Sequence, residues 1–266
     1  MSGGAWPVLL LGAGRLGQAL IQGWRRAAAF PMSELMIRTP SAKPEADAVA
    51  REGAVLNPGP ADLARVRTVV LCVKPQKWRE AALACEGLSA DAVVVSVMAA
   101  GSVREVSAGF GGRPTARVIP TTAVARAAGV ASVFAEDQRA RAAAHALFAP
   151  VATVVDLPEE AMLDAAVGVS GSGTAYVYAF ADALEHAGVA AGLPAAAAVE
   201  LARATVVSSA AYLEESGAAP AELIEQVASP GGTTRAGLAV LRPGLDELLE
   251  ATVAAAIRRA RELAEG

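Results

Sequence analysis

The sequence predicts an α/β chain in two parts: a doubly wound parallel sheet over residues 1–157, then an all-α part over residues 158–266. Three observations carry this. Short apolar runs alternate with helical periodicity in the first part. A glycine-rich turn follows the first apolar run and opens a helix. Beyond Pro158 no convincing strand pattern returns.

Taken in order, Val8–Leu11 reads as a short buried strand, Gly12–Gly17 as a turn, and Leu16 to Ala28 as a helix. Its apolar face carries Leu16, Ala19, Leu20, Gly23 and Ala27. Leu35–Ile37 is a second strand, followed by a helix over Glu45 to Glu52 that stops at Gly53. Thr68–Val73 and Ala92–Met98 are continuous apolar runs, as expected of parallel strands covered on both faces. A helix over Gln76 to Cys85 separates them. Strands at Ala116–Ile119 and Val130–Phe134, a helix over Gln138–Phe148 and a strand at Thr153–Val155 complete the first part. The second part reads as helices over Thr174–Ala187, Pro194–Glu215, Pro220–Val227 and Leu245–Leu263. Pro194 and Pro220 suit first helical turns, where a missing N–H costs little. Gly188, Gly192 and Gly217 suit helix ends. These helices are alanine-rich and apolar on more than one face, so burial against a second copy is expected.

Composition excludes several classes. Among 266 residues, 54% are hydrophobic and 19% charged, which argues against disorder. The net charge of -4, the scattered arginines and the 4% aromatic content give nucleic acid nothing to bind. The two cysteines, Cys72 and Cys85, have neither metal-ligand nor redox spacing, so no metal is expected. No basic leader and no long apolar span precede the first turn, so no membrane partner is expected and a cytoplasmic location is.

The turn Gly12-Ala13-Gly14-Arg15-Leu16-Gly17 is a G-x-G-x-x-G. Gly12 permits the tight bend, Gly14 lets backbone approach a pyrophosphate, and Gly17 lets helix and strand pack closely. The helix N-terminus then faces the phosphates. An NAD site expects an acidic residue at the end of the second strand. Here stand Arg38, Thr39 and Ser41, with Lys43 beyond, a cation and hydroxyls that suit a 2′-phosphate. NADPH is therefore the expected cofactor, with NADH as the alternative. Two loops at carboxyl ends of predicted strands, Cys72-Val73-Lys74-Pro75 and Ala99-Ala100 after Met98, are expected to complete the cofactor site together with Thr121.

In the helical part, Val169 to Thr174 opens one helix, and Ala228 to Thr234 joins two. Within the latter, Pro230 presets a turn, and Gly231 and Gly232 allow conformations closed to other residues. Thr233 and Thr234 then fall at a helix N-terminus, whose free N–H groups can hold a carboxylate. The plainer alternative for the same residues is an ordinary helix cap.

The glycine turn, Val73-Lys74-Pro75, Ser96 to Gly101, Val169 to Gly173 and Ser229 to Thr234 together resemble the motif set of pyrroline-5-carboxylate reductases, over essentially the whole chain. The resemblance implies a Rossmann domain followed by a helical dimerisation domain. It implies reduction of 1-pyrroline-5-carboxylate, a cyclic imino acid, to proline with NAD(P)H. Ser229, Gly231, Gly232, Thr233 and Thr234 would bind the substrate, with Thr234 as the catalytic residue beside the ring nitrogen. It also implies an intertwined homodimer, commonly assembled into decamers. The chain departs from the family at Thr121-Thr122-Ala123, where Asn-Thr-Pro is usual, at Thr174, usually proline, and at Pro60, which matches an asparagine of some members.

Three other readings compete. A reductase of the same kind acting on a different ring would explain the departure at residues 121–123. A non-catalytic dinucleotide sensor would share the fold but has no need of Ser229–Thr234. A β-hydroxyacid dehydrogenase would require a lysine where Val177 stands, so alcohol oxidation lacks its base. His145 and His186 lie inside predicted helices and are not expected to be catalytic.

Overall fold

The computed structural model describes residues 4–265; residues 1–3 and 266, the outermost positions of the two expected parts, lie outside the described residues. Eight strands form one sheet: β1 (Val8–Leu11), β2 (Leu35–Arg38), β3 (Val55–Leu56), β4 (Thr68–Leu71), β5 (Val93–Ser96), β6 (Thr115–Pro120), β7 (Gly129–Ala135) and β8 (Ala152–Asp156). Their order is β3-β2-β1-β4-β5-β6-β7-β8. The chain runs outward from β1 through β2 to β3, then crosses back to β4 on the other side of β1. The crevice at the carboxyl ends of β1 and β4 is therefore the topological switch point, where such sheets bind ligands.

The continuous apolar runs follow from the two-sided covering. Val8 and Leu10 of β1 face one core with Ile37, Val70 and Val95. Leu9 and Leu11 face the other with Met36, Val69, Leu71 and Val94. Alternating side chains point to opposite faces, so both must be apolar when both are covered.

The expected all-parallel pairing fails at one place. β6 and β7 pair antiparallel. Only residues 121–128 connect them, with a 3-10 turn over Thr122–Arg126. A parallel crossover needs a dozen or more residues, so this short link leaves only the hairpin-like return. β8 then runs parallel to β7.

The helices of this part are α1 (Arg15–Arg26), α2 (Pro44–Ala50), α3 (Pro60–Leu63), α4 (Trp78–Leu83), α5 (Val103–Gly109), α6 (Gln138–Phe148) and α7 (Met162–Ala166). Strand β3 and helices α3, α5 and α7 went unread in the sequence. They are two to seven residues long, too short for periodicity to show. α5 did carry a signal. Ser102 Oγ accepts from the Glu105 N–H, and the Glu105 carboxylate accepts from the Ser102 N–H, a capping box. A π-helical turn at Val167–Gly171 follows α7.

The remaining helices are α8 (Gly173–Ala190), α9 (Ala195–Ser216), α10 (Pro220–Val227), α11 (Thr233–Leu241) and α12 (Leu245–Glu265). The last strand ends at Asp156, two residues before the composition changes at Pro158. The chain separates into two compact units elsewhere. One runs to Gly171 and takes back the chain from Ile257; the other is Ser172–Ala256. In the second unit α8 and α9 pack together, with Ala198 and Ala202 buried and Gly188 close against Leu193 and Ala198. Much of its apolar surface stays exposed, including Tyr178, Phe180, Val207 and Val240. Among the described residues no helix is long and apolar enough to cross a membrane.

Candidate active site

The glycine turn lies at the switch point between β1 and α1. Gly12 has φ +96°, and a Cβ there would sit 2.6 Å from the Cys72 carbonyl oxygen. A Cβ at Gly17 would lie 2.3 Å from the Gly12 carbonyl oxygen. Both positions are thus closed to any side chain by backbone. Gly14, the first residue before α1, has no neighbour within 4 Å of an added Cβ. Its open side is the place for a ligand. Among the described residues, α1 has no side-chain cap and no acidic residue in its first turn. Its N–H groups, with Ala13, Arg15 and Leu16 around them, suit a pyrophosphate. The turn therefore fits a dinucleotide.

The end of β2 is more occupied than its sequence suggests. Arg38 donates from Nη2 to the Pro58 carbonyl at 2.9 Å and from Nη1 to the Ala84 carbonyl. Two of its five donors are spent on backbone. Thr39 is buried; its N–H donates to Asn57 Oδ1 and its hydroxyl to the Ser41 carbonyl. Ser41 is exposed. Arg38 is thereby held rigid at the edge of the site. Asn57, absent from the sequence reading, shapes this corner and itself sits at φ +49°.

At the end of β4, Cys72 lies under the glycine turn, and burial pushes its thiol up to about 12. It is a neutral packing residue. Val73 is partly buried; Lys74 is exposed and precedes a 3-10 turn that Pro75 begins. At the end of β5, Ala99 and Ala100 lead to Gly101 at φ +90°. They line a cavity of about 290 Å³ with Arg117, Ile119, Leu163 and Val167. Arg117 and Glu160, which border this region, escaped the sequence reading. The available signal was a charge inside the apolar strand Ala116–Ile119.

Thr121 is buried at the end of β6, and its Oγ1 accepts from the Val130 N–H at 3.1 Å. It ties β6 to β7. In the second unit, Gly231 has φ +71°, and a Cβ at Gly232 would lie 2.5 Å from Ser229 Oγ. Gly232 precedes α11, which begins with Thr233 and Thr234 and, among the described residues, has neither a side-chain cap nor an acidic residue in its first turn. Arg235 makes two bonds to Glu225, at 3.2 and 2.8 Å, and one to the Ala228 carbonyl. These bonds hold the Glu225 carboxyl below its usual range. They also brace the turn.

Residues 160–263 match the family described as pyrroline-5-carboxylate reductase dimerisation. Residues 7–100 match that of the coenzyme F420-dependent NADP oxidoreductases. A pyrroline-5-carboxylate reductase of Synechocystis is 39% identical over 73% of this chain and 74% of its own. That of Pisum sativum is 34% identical over 95% of this chain and 94% of its own. This chain belongs to the pyrroline-5-carboxylate reductase family. The structure of a pyrroline-5-carboxylate reductase from Coxiella burnetii has TM-score 0.87 at 25% identity, covering 98% of this chain and 99% of that one. A Plasmodium falciparum pyrroline carboxylate reductase, solved with NADP bound, has TM-score 0.78 at 21% identity and shares the fold. The family's dimerisation region includes Ser229–Thr234, and the oxidoreductase match includes the glycine turn. The hydroxyl of Thr121 is engaged with the sheet.

Proposed function

We propose that this chain reduces 1-pyrroline-5-carboxylate to L-proline with NADPH, the last step of proline biosynthesis, with NADH as a possible second donor. The observation that supports it most is family membership across both parts of the chain, from glycine turn to Ser229–Thr234. Gly12 to Gly17 would hold the pyrophosphate. Arg38, Thr39 and Ser41 would face the 2′-phosphate. Cys72 to Pro75, Ala99, Ala100 and Thr121 would surround the rest of the cofactor. When bound, the dihydronicotinamide supplies the hydride.

The chain's own task is positioning and charge. A protonated imine is already electrophilic, so no strong base is needed. N–H groups around Gly231–Thr234 would hold the substrate carboxylate at the start of α11. Thr234 Oγ would accept a hydrogen bond from the protonated ring nitrogen and keep the imine carbon facing the hydride. Fixing two reactants in this way is worth several kcal/mol, up to about 7–11 in the best-oriented cases. In organisation, residues 1–157 would serve the cofactor and 158–266 the substrate and dimerisation. A cytoplasmic homodimer, assembled further into rings such as decamers, fits the exposed helical surface.

NADPH oxidation with five- and six-membered cyclic imino acids offered side by side tests this reading. Turnover of the five-membered ring is expected; no turnover on either overturns it. A clear preference for the six-membered ring would favour a related imine reductase. The engaged hydroxyl of Thr121 at the departure from the family pattern is the observation behind that second reading.

A further inference from the structure

Arg117 stands in the middle of β6, a strand otherwise built of small and apolar residues around it. Its side chain is only 11% exposed. The guanidinium forks. Nη1 donates to Glu160 Oε1 at 2.9 Å, and Nη2 makes a long bond, 3.4 Å, to the Ala99 carbonyl. Nε is buried and finds no partner among the described residues. Glu160 Oε1 also accepts from the Val103 N–H at 2.8 Å. The one ion pair therefore grips the chain on both sides of Ala100-Gly101.

That loop has little else to hold it. Ala99, Ala100 and Gly101 have no side chain able to anchor them, and Gly101 at φ +90° is conformationally permissive. The capping box of Ser102 and Glu105 fixes only its far end. Leu163 and Val167 line the same cavity as the loop and Arg117. Glu160 lies just before α7, which carries Leu163. The ion pair thus links β6, which lines the cavity through Arg117, to the segment that leads into α7.

We infer that Arg117 and Glu160 are positioning residues for hydride transfer: together they set where the Ala99–Gly101 backbone stands, and so where the nicotinamide ring is held. The inference rests on the proposed function, because it assigns this loop to the nicotinamide end. The pair acts through backbone and touches neither reactant. A misplacement near 1 Å is enough to cost about 100-fold in rate.

The test uses the full-length protein with Glu160→Ala, Glu160→Gln and Arg117→Lys. Glu160→Gln keeps an acceptor for the Val103 N–H but gives Arg117 no charge. Two affinities are read beside kcat: that for NADPH, and that for adenosine 2′,5′-bisphosphate, which reaches only the glycine turn and β2. Glu160→Ala should lower kcat about tenfold or more and weaken NADPH, while the adenosine fragment stays within about twofold. Glu160→Gln should fall between wild type and Glu160→Ala. A kcat within about twofold of wild type, or equal losses for NADPH and the fragment, would overturn the inference. If Glu160→Ala does not fold, Glu160→Gln and Arg117→Lys are judged by the same split. Absence of imine turnover in the wild type would sink the proposed function alone. The ratio of NADPH to fragment affinity would still decide the role of the pair.

Discussion

At the scale of single residues, Thr234 is the side chain on which the proposed chemistry depends. It stands in the first turn of a helix whose start carries no cap among the described residues. In the proposed mechanism its hydroxyl meets the ring nitrogen. A hydrogen bond to a charged group is worth about 1.5–3 kcal/mol. Thr234→Ala should therefore lower kcat about 10- to 100-fold while NADPH affinity changes little. Steady-state kinetics with a separate cofactor titration checks this; unchanged turnover removes Thr234 from the mechanism. Cys72 gives a second residue-scale expectation. Burial raises its folded value to about 12, while the unfolded thiol titrates near 9. Between those values the unfolded chain loses a proton that the folded chain keeps. Stability must then fall as pH rises from 9 towards 12, by roughly 1.4 kcal/mol per pH unit at most. Cys72→Ala should flatten that part of the pH profile, measured by urea unfolding; an unaltered slope would contradict the assignment to Cys72.

At the scale of elements, α1 shows how tightly the sheet-bearing unit is packed. Trp24 is fully buried and its Nε1 donates to the Leu147 carbonyl at 2.8 Å. A Cβ at Gly23 would lie 2.2 Å from the Val124 carbonyl oxygen, which belongs to the turn between β6 and β7. Elsewhere in a helix, Gly→Ala stabilises by about 0.5–1 kcal/mol. Here backbone must move, so Gly23→Ala should destabilise by about 1–3 kcal/mol, read as a lower urea midpoint. A higher midpoint would show that the turn yields freely. The elements also show what a sequence conveys. β1, β4 and β5 were plain because both faces of the sheet are covered and every side chain had to be apolar. The long helices were plain from their prolines and glycines. The antiparallel turn-back of β7 was not, since strand direction depends on how the short link of 121–128 closes. Arg38 was legible as a cation at the end of β2, whereas its bonds to Pro58 and Ala84 depend on chain brought in from far away. Arg117 and Glu160 are 43 residues apart, and no local pattern connects them.

At the scale of the whole molecule, the two compact units differ in how well they are sealed. The sheet-bearing unit buries its large side chains on both faces. The helical unit leaves Tyr178 at 69% and Val240 at 81% exposure. Exposed apolar surface on this scale calls for a partner, and this region matches a dimerisation family. Light scattering at micromolar concentration should give at least twice the 26.8 kDa of one chain. A stable monomer would contradict the homodimer.

Local sequence was enough for the glycine turn, the strand–helix alternation, the helical second part and the turn that precedes α11. Each is written in local spacing, and local sterics or periodicity enforce it. Tertiary structure alone decided that Thr121 braces the sheet, that Arg38 is pinned by two carbonyls, and that Arg117 and Glu160 clasp the loop after β5. Those facts depend on distances between residues far apart in the chain, which only the packed sheet brings within hydrogen-bond reach.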